Sequence, residues 1–328
     1  MRAIVIREPG DEDVMQIGEL PPPVLGAEEV RIRVRSTAVN RADLLQRRGF
    51  YPPPPGASPI LGLECAGEVA EVGGAALGAG FRPGDRVMAL LAGGGYAEEV
   101  AVHHGSVMRV PAALDLVAAG GFPEVYLTAH SNIFMYGRLA AGGTVLIHGG
   151  GSGVGTASIQ LAREAGARAI VTAGSDEKCA RCLELGASAA INYRSEDFAE
   201  RVLALTEGRG ADVILDSIGG AYLEKNLRCL AVAGRLVVIG LTGGSQAELN
   251  LAALLTRRLE IIGSTLRARP SAEKAEIVRS FRERFGAALD AGRLRVVVDR
   301  VLPLASAPEA HRLVASSAHF GKVILQVS

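Results

Sequence analysis

The chain has 328 residues, 48% of them hydrophobic, so it can bury a large core and we expect two domains. Its 35 basic and 35 acidic residues balance, which leaves no basic surplus to attract nucleic acid or an anionic membrane. No apolar run approaches the roughly 20 residues of a membrane helix, and the four cysteines form no disulfide framework. The N-terminus also lacks a secretory apolar core. These features predict a reduced, cytoplasmic, globular protein without nucleic-acid or membrane partners.

The first third of the chain is predicted to be rich in strands. Apolar residues at 30–34 alternate with arginines, which is the period of a half-buried strand. The prolines at 52–55 exclude a helix and predict a bend. Further strand candidates lie at residues 67–72, 86–90 and 100–102.

From about Pro123 strands and helices alternate, the pattern of an α/β domain. The strand candidates are 145–147, 169–172, 190–193, 213–215, 236–239 and 260–263. The helix candidates are 154–165, 176–185, 196–206, 222–232 and 251–257. This number of strands and crossovers is what a dinucleotide-binding sheet requires. We expect the last segment, a helix at 272–289, a strand at 296–298, a helix near 309–315 and a strand at 323–327, to return to the first domain.

A glycine cluster follows the first of these strands and precedes a helical pattern. In a nucleotide-binding fold such glycines let the backbone approach a pyrophosphate, and the free amides of the helix bind it. Ser152 stands where the second glycine of the G-x-G-x-x-G motif would be. The pattern predicts cofactor contacts from Gly150, Ser152, Gly153, Val154 and Gly155.

Several sequence blocks, in order along nearly the whole chain, resemble the zinc-free quinone oxidoreductases of the medium-chain dehydrogenase/reductase superfamily, the zeta-crystallin-like branch. The residues around Asn40 and Tyr51 are most similar to the type induced by tumour suppressors in animals. The blocks are 38–46, 51–56, 60–68, 83–87, 127–129, the glycine loop, 186–187 with 192–193, 216–220 and 319–325.

The resemblance implies an α/β protein with two domains and a cleft between them. A Rossmann-type, NADP-binding domain at 123–269 would be inserted in a GroES-like, β-rich catalytic domain at 1–122 and 270–328. It also implies a homodimer or homotetramer. The edge strand of the nucleotide sheet, 259–264, is the candidate for pairing across a two-fold axis.

The end of the second nucleotide-domain strand bears on the choice of cofactor. An NAD site calls for an acid there, but the strand at 169–172 is followed by alanine, glycine and Ser175. In the resembling family the residues matching Ser175, Lys178 and Tyr193 bind the 2′-phosphate of NADP, so NADPH is expected. The alternative is that Asp176 is the ribose-binding acid and the cofactor is NAD. Asp176 is better explained as a first-turn acid that faces the helix dipole.

Other cofactor contacts are expected with less motif support. The resemblance places Thr128 near the nicotinamide. Gly240, Leu241, Leu266 and Arg267 follow late strands at their carboxyl ends, where ligands bind in an open α/β sheet.

A metal is not expected. Zinc members of the superfamily carry Cys where Asn40 stands and His where Leu63 stands, and neither residue present can replace a thiolate or an imidazole. Cys179 and Cys182 form a C-x-x-C pair, but their helical spacing puts both on one apolar face, which favours core packing.

The resemblance makes Tyr51 and Asn40 the catalytic candidates. We expect Tyr51 to donate to the carbonyl of a quinone or enone, and Asn40 to fix the substrate or the nicotinamide ribose. The alternative interpretations are that Asn40 caps the helix beginning at Arg41 and that Tyr51 covers the proline bend. Two other functions stay open, a non-catalytic NADPH-binding protein (structural or RNA-binding) and an enoyl reductase that acts on thioesters.

Overall fold

The structure is a computed structural model, and it describes residues 1–327. The strands are β1 (Arg2–Val5), β2 (Gln16–Glu19), β3 (Glu29–Ala38), β4 (Glu64–Val72), β5 (Arg86–Leu90), β6 (Glu99–His103), β7 (Val107–Arg109), β8 (Thr144–His148), β9 (Arg168–Ala173), β10 (Ala189–Asn192), β11 (Ala211–Asp216), β12 (Leu230–Val238), β13 (Glu260–Gly263), β14 (Val298–Pro303) and β15 (Lys322–Gln326). The helices are α1 (Arg41–Arg47), α2 (Leu116–Ala119), α3 (Pro123–His130), α4 (Gly153–Glu164), α5 (Asp176–Leu185), α6 (Phe198–Leu205), α7 (Leu223–Cys229), α8 (Leu251–Thr256), α9 (Ser271–Asp290) and α10 (Ala307–Ala315). Within the described residues, no helix has the length and apolar character needed to cross a bilayer.

The chain forms two compact units. The first unit comprises Met1–Leu127 and the chain from Leu266 onward, and the second unit is Thr128–Thr265. The second unit contains a six-stranded sheet in the order β10-β9-β8-β11-β12-β13, and every pairing in it is parallel. The chain leaves β8 toward β9 on one side and later places β11 on the other. The carboxyl ends of β8 and β11 therefore flank a topological switch point, where ligands bind in such sheets.

The core of the second unit explains why these segments became parallel strands. Leu146, Ile170, Ile214 and Leu236 come from four neighbouring strands, and all are fully buried. Helices cover the sheet, and α6 contributes Phe198 to the same cluster. Strands covered in this way are apolar along their length, which is the sequence pattern of β8, β9 and β11.

The first unit contains a larger, mostly antiparallel sheet in the order β14-β15-β3-β4-β5-β7, with β6 also paired to β3. Val30, Ile32 and Val34 of β3 are buried, which confirms the predicted alternation. β15 pairs antiparallel with β3, so the end of the chain does return to the first sheet. The strand predicted at 296–298 is wrong, because β14 begins only at Val298 and continues to Pro303.

Together the two units confirm the predicted α/β class, with one Rossmann-type parallel sheet and one separate β-rich unit.

Candidate active site

The glycine loop after β8 is shaped by close contacts of its backbone. A Cβ on Gly155 would lie 2.3 Å from the carbonyl oxygen of Gly149, and one on Gly150 would lie 2.8 Å from Val171. Ser152 is the N-cap of α4, and its Oγ accepts a hydrogen bond from the Gly155 amide at 2.9 Å. The position that departs from the glycine motif therefore carries a capping side chain, and the close contacts fall on the glycines.

The start of α4 suits a bound phosphate. Gly153 and Val154 are its first two residues, and amides at these positions have no acceptor within the helix. The positive end of the helix dipole lies at the same place, at the carboxyl end of β8. The glycine contacts and these donors fit the pyrophosphate of a dinucleotide.

His148 is the last residue of β8 and directly precedes this loop. Its ring is buried, with Nδ1 at 3.1 Å from Thr172 Oγ1 and Nε2 at 2.7 Å from Asn226 Oδ1. Burial lowers the pKa of His148 to about 4, so the ring is neutral near pH 7 and makes polar contacts within the core.

The residues expected at the 2′-phosphate lie around the start of α5. Ser175 is the N-cap of α5, and its Oγ accepts from the Lys178 amide at 3.3 Å. The Tyr193 hydroxyl lies 2.7 Å from the place a Cβ on Gly174 would take, so this phenol lies beside the loop that leads into α5. Asp176, the alternative ribose-binding residue, accepts from Asn192 Nδ2 at 2.7 Å.

The remaining cofactor candidates differ in exposure. Leu241 follows β12 and is 56% exposed, whereas Leu266 is buried. A Cβ on Gly240 would lie 3.0 Å from Ser217 O, a second close approach of the backbone. The Thr128 carbonyl accepts from Asn132 Nδ2 at 2.8 Å.

Tyr51 lies in the loop after α1, and its side chain is partly buried. Burial raises the pKa of Tyr51, the negative charge of Glu124 raises it further, and the Arg267 guanidinium opposes both. The phenol therefore remains protonated and able to donate a hydrogen bond.

The sequence predicts a cofactor contact for Arg267. Its guanidinium donates to the Tyr51 carbonyl at 3.0 Å, within the first unit, and the cofactor contact stays a prediction.

Asn40 is the N-cap residue of α1 and forms a capping box with Asp43, in which each side chain faces the backbone amide of the other residue. The backbone N–H of Asn40 donates to Asp43 Oδ2 at 2.8 Å, which is the contribution of Asp43 to this capping box. The Asn40 side chain accepts from Lys322 Nζ at 2.8 Å through Oδ1 and donates to Glu64 Oε1 at 2.9 Å through Nδ2. The predicted helix at Arg41 is confirmed, and the side chain of Asn40 is held by two charged residues.

Glu64 and Lys322 complete a closed polar ring with Asn40. Lys322 Nζ lies 2.8 Å from Glu64 Oε1, and Glu64 Oε2 accepts from the Glu124 amide at 3.0 Å. The strand order β15-β3-β4 brings these residues together. The start of β15, the end of β3 and the start of β4 lie side by side in register.

Sequence reasoning assigned no role to Glu64, Glu124 or Lys322, although all three are in or next to blocks that carry the family resemblance. A usable signal exists for two of them. Glu64 and Lys322 stand in otherwise apolar runs, and a charge in such a run is buried only when it is paired. The pairing itself has no signature in the sequence.

Two family models match the chain, one after the other along it. The model described as "Alcohol dehydrogenase GroES-like domain" matches residues 26–133, and the one described as "Zinc-binding dehydrogenase" matches 153–282. Quinone oxidoreductase from Rattus norvegicus is 30% identical over 328 residues, which cover 99% of this chain and 97% of the relative. The chain belongs to the medium-chain dehydrogenase/reductase superfamily, in its quinone oxidoreductase-like branch.

Other relatives of this medium-chain oxidoreductase include a segment of a much larger enzyme. The chain is 32% identical to a phenolphthiocerol/phthiocerol polyketide synthase of Mycobacterium tuberculosis over 98% of its own length, and spans only 14% of that protein. Among solved structures, the quinone oxidoreductase of Escherichia coli complexed with NADPH superposes with a TM-score of 0.87 at 28% identity, covering 99% of this chain and all of the other. A structure described as an NAD-dependent alcohol dehydrogenase has a TM-score of 0.86 at 34% identity and covers both chains fully.

The description of the second family model raises the question whether this medium-chain oxidoreductase can hold zinc. Asn40 stands at a ligand position of the zinc enzymes, and its side chain binds the ammonium of Lys322. That positive charge would repel a zinc ion. Leu63, at the other position, is buried and offers no ligand atom. Within residues 1–327, no three His, Cys, Asp or Glu side chains are arranged to hold a metal ion. The residues present do not fit zinc.

The C-x-x-C pair does not supply a metal site either. Cys179 and Cys182 are buried in α5, as predicted. Burial raises the pKa of both thiols, that of Cys182 to about 12, so they remain protonated near pH 7. A metal ligand or a nucleophile would need the thiolate.

Proposed function

We propose that this oxidoreductase reduces quinones or related α,β-unsaturated carbonyl compounds with NADPH and without a metal. The observation that carries the proposal is the Tyr51 phenol, a hydrogen-bond donor whose ring lies 5.3 Å from Arg267 Cζ and whose backbone carbonyl that guanidinium holds. Reduction of such acceptors places negative charge on an oxygen, and a preorganised donor stabilises that charge. Polarising an unactivated ketone calls for a stronger Lewis acid, and the residues present do not fit a zinc ion.

In this proposal Tyr51 donates its hydroxyl hydrogen bond to the substrate carbonyl. Asn40 has its amide hydrogens directed to Glu64 and to Ala38 O, so it is poorly placed to be a second donor. Its Oδ1 accepts from Lys322 and faces the Asp43 amide in the capping box. In this proposal the same oxygen also accepts from a hydroxyl of the substrate or of the nicotinamide ribose.

The nicotinamide supplies a hydride when it is bound, and the residues around α5 favour the phosphorylated form of the cofactor. Ser175 is the N-cap of α5 and Lys178 lies in its first turn, the Tyr193 hydroxyl lies beside the same loop, and Asp176 accepts a hydrogen bond from Asn192. A cation and hydroxyl groups suit a phosphate better than a free ribose. The quinone oxidoreductase solved with NADPH supports this choice, whereas the similarity to an NAD-dependent alcohol dehydrogenase makes NADH the alternative.

Enoyl reduction of a thioester is the second candidate. It is supported by the 32% identity to a polyketide synthase and by the structural likeness to the CurK enoyl reductase, with a TM-score of 0.85 at 26% identity. The requirement at the carbonyl oxygen is the same, so Tyr51 would serve either substrate. A purely binding role has no comparable support.

We also propose a homodimer or homotetramer that pairs through the edge of the parallel sheet. β13 is the terminal strand of that sheet, and Ile261 on it is 38% exposed. Leu251 and Leu255 of α8, which precedes β13 in the chain, are 66% and 78% exposed. An unpaired edge strand and exposed leucines are typical of a surface that a second copy covers.

The test is turnover of the purified protein, treated with a chelator, with NADPH and separately with NADH. The acceptors are ortho-quinones, para-quinones, enones and an enoyl thioester, and nicotinamide absorbance reports the rate. Rapid oxidation of NADPH by quinones and slow oxidation of NADH is the expected result. A preference for the thioester would favour the second candidate, and a preference for NADH would contradict the assignment of Ser175 and Lys178. Tight NADPH binding without turnover on any acceptor would overturn the catalytic proposal.

A further inference from the structure

Arg267 is almost fully buried, and its guanidinium joins three separate segments of the first unit. Nε donates to Ala92 O at 2.8 Å, Nη1 to Tyr51 O at 3.0 Å, and Nη2 to Gln46 Oε1 at 2.6 Å. Only 3% of the surface of Arg267 is exposed to solvent. The planar fork of a guanidinium fits such a three-way contact, and the single ammonium of a lysine does not reproduce it.

The loop that carries Tyr51 is held at both ends by side chains from outside it. Residues 52–55 are prolines, which have no N–H group to donate. Arg267 holds the Tyr51 carbonyl at one end of the loop, and Gln46 Nε2 donates to Pro59 O at 2.8 Å at the other. Because Arg267 also binds Gln46, one guanidinium fixes both ends of the loop.

The same guanidinium contacts the Tyr51 ring. Arg267 Cζ lies 5.3 Å from the ring centroid, within the range of a cation–π contact, which holds the ring in orientation as well as in place. The backbone of Arg267 is anchored in turn, because Lys274 Nζ donates to Arg267 O at 2.7 Å.

We propose that Arg267 is a positioning residue that fixes the backbone and the ring of Tyr51, so that the hydroxyl meets the oxygen of the substrate. The inference rests on the proposed function, because it takes Tyr51 as the donor. In this role Arg267 acts on the reaction through Tyr51.

The first test is a double-mutant cycle between Arg267 and Tyr51, with kcat and KM measured for a quinone. Arg267→Lys is expected to lower kcat/KM by about 10- to 100-fold, the range that a displaced catalytic group produces. In the Tyr51→Phe background the same substitution is expected to have little further effect, because the group it positions is gone.

The outcomes of the cycle separate the two proposals. Additive losses, with Tyr51→Phe itself impaired, would overturn the positioning role and leave the role of Tyr51 intact. An unimpaired Tyr51→Phe would overturn the assignment of Tyr51, and the positioning role with it.

A second readout keeps the inference testable if substitutions at Arg267 reduce folding. The ionisation midpoint of Tyr51 is measured as the alkaline tyrosinate absorbance that disappears in the matching Tyr51→Phe protein. Arg267→Gln, which removes the cation, is expected to raise this midpoint, and an unchanged midpoint would contradict the contact.

If Arg267→Gln does not fold, Gln46→Ala is the alternative variant. It keeps Arg267 and removes the hydrogen bond to Pro59 O, and it is expected to lower kcat/KM less than Arg267→Lys. Full activity of Gln46→Ala, with unaltered protease sensitivity of the proline loop, would then count against the proposal.

The matched control is Arg86→Gln. Arg86 Nη2 also donates to a backbone carbonyl of the first unit, that of Leu114, at 2.9 Å. This control is expected to leave kcat/KM for the quinone unchanged. A loss equal to that of Arg267→Lys would show a general effect on stability and would overturn the specific role.

Discussion

Lys322 Nζ lies 2.8 Å from Glu64 Oε1, and the two side chains are only 3% and 0% exposed. An ion pair so fully removed from water is held by its additional hydrogen bonds, here to Asn40 and to the Glu124 amide. The pair lies where neighbouring strands of the first unit begin and end, next to the catalytic candidate Asn40.

Removing one partner of this pair is expected to destabilise the protein strongly. Lys322→Met leaves the Glu64 carboxylate buried without its cation, and we expect a loss of about 3–5 kcal/mol in the free energy of unfolding. The double variant with Glu64→Gln is expected to recover much of that loss. Urea denaturation measures both, with Arg279→Gln, which breaks exposed ion pairs, as the control that changes little. Equal stability of the single and double variants would contradict the pairing argument.

Glu124 gives a prediction for the pH dependence of stability. Burial and the neighbouring Glu64 carboxylate raise the pKa of Glu124 to about 8 from an ordinary value of 4.5, although Lys322 and Lys274 oppose this. The folded state therefore holds this proton more tightly than the unfolded chain does. The resulting stability is present below the unfolded pKa and is lost as the pH rises through the folded pKa.

Glu124→Gln carries a neutral side chain at every pH. We expect its free energy of unfolding to fall less than that of the wild type between about pH 5 and pH 9, measured by denaturant titration at each pH. The exposed Glu309→Gln serves as the control. Parallel curves for wild type and Glu124→Gln would show that the raised pKa is wrong.

Tyr51→Phe removes the proposed donor and preserves the ring that packs under Arg267. We expect kcat/KM for quinones or enones to fall by about 100-fold or more, the usual effect of losing a positioned proton donor, while NADPH binding is retained. Tyr126→Phe, whose hydroxyl donates to Arg295 O in the same unit, is the matched control. Unchanged turnover and unchanged substrate KM in Tyr51→Phe would mean that proximity to the hydride alone is sufficient.

Lys178→Ala tests the choice of cofactor. Loss of one charge-assisted contact to a phosphate is expected to weaken NADPH binding by about 10- to 100-fold and to leave NADH binding nearly unchanged. Titration of nicotinamide fluorescence gives both dissociation constants. Lys225→Ala, which breaks an ion pair with Asp197 on the same unit, is the control. Equal weakening of both cofactors would place Lys178 away from the 2′-phosphate.

Leu255→Glu tests the proposed interface between copies of the chain. A charge on the exposed face of α8 is expected to reduce the assembled form toward the 34.1 kDa of one chain, as measured by size-exclusion chromatography with light scattering. Leu77→Glu introduces the same charge at an exposed leucine of the first unit and is expected to leave the mass unchanged. An unchanged mass for Leu255→Glu would contradict an interface at α8.

The sequence by itself determined the glycine loop and most elements of the parallel sheet. Helix α5 and strand β13 begin and end where their patterns predict, because period, caps and glycines are local properties of the chain. The alternation of strand and helix then leaves few topologies for a parallel sheet, and the six-stranded order follows. The prediction is wrong before β14, and also at β12, which begins at Leu230 within the helix predicted at 222–232.

Only the tertiary structure decided which polar groups meet. Asn40, Glu64 and Lys322 are far apart in sequence. The order and register of β15, β3 and β4 alone bring them together. The direction of the Arg267 side chain is likewise set by acceptors at Gln46, Tyr51 and Ala92. A local pattern can show that a charge is buried, but a buried charge is stable only beside its partner, and the partner is chosen by the packing of distant segments.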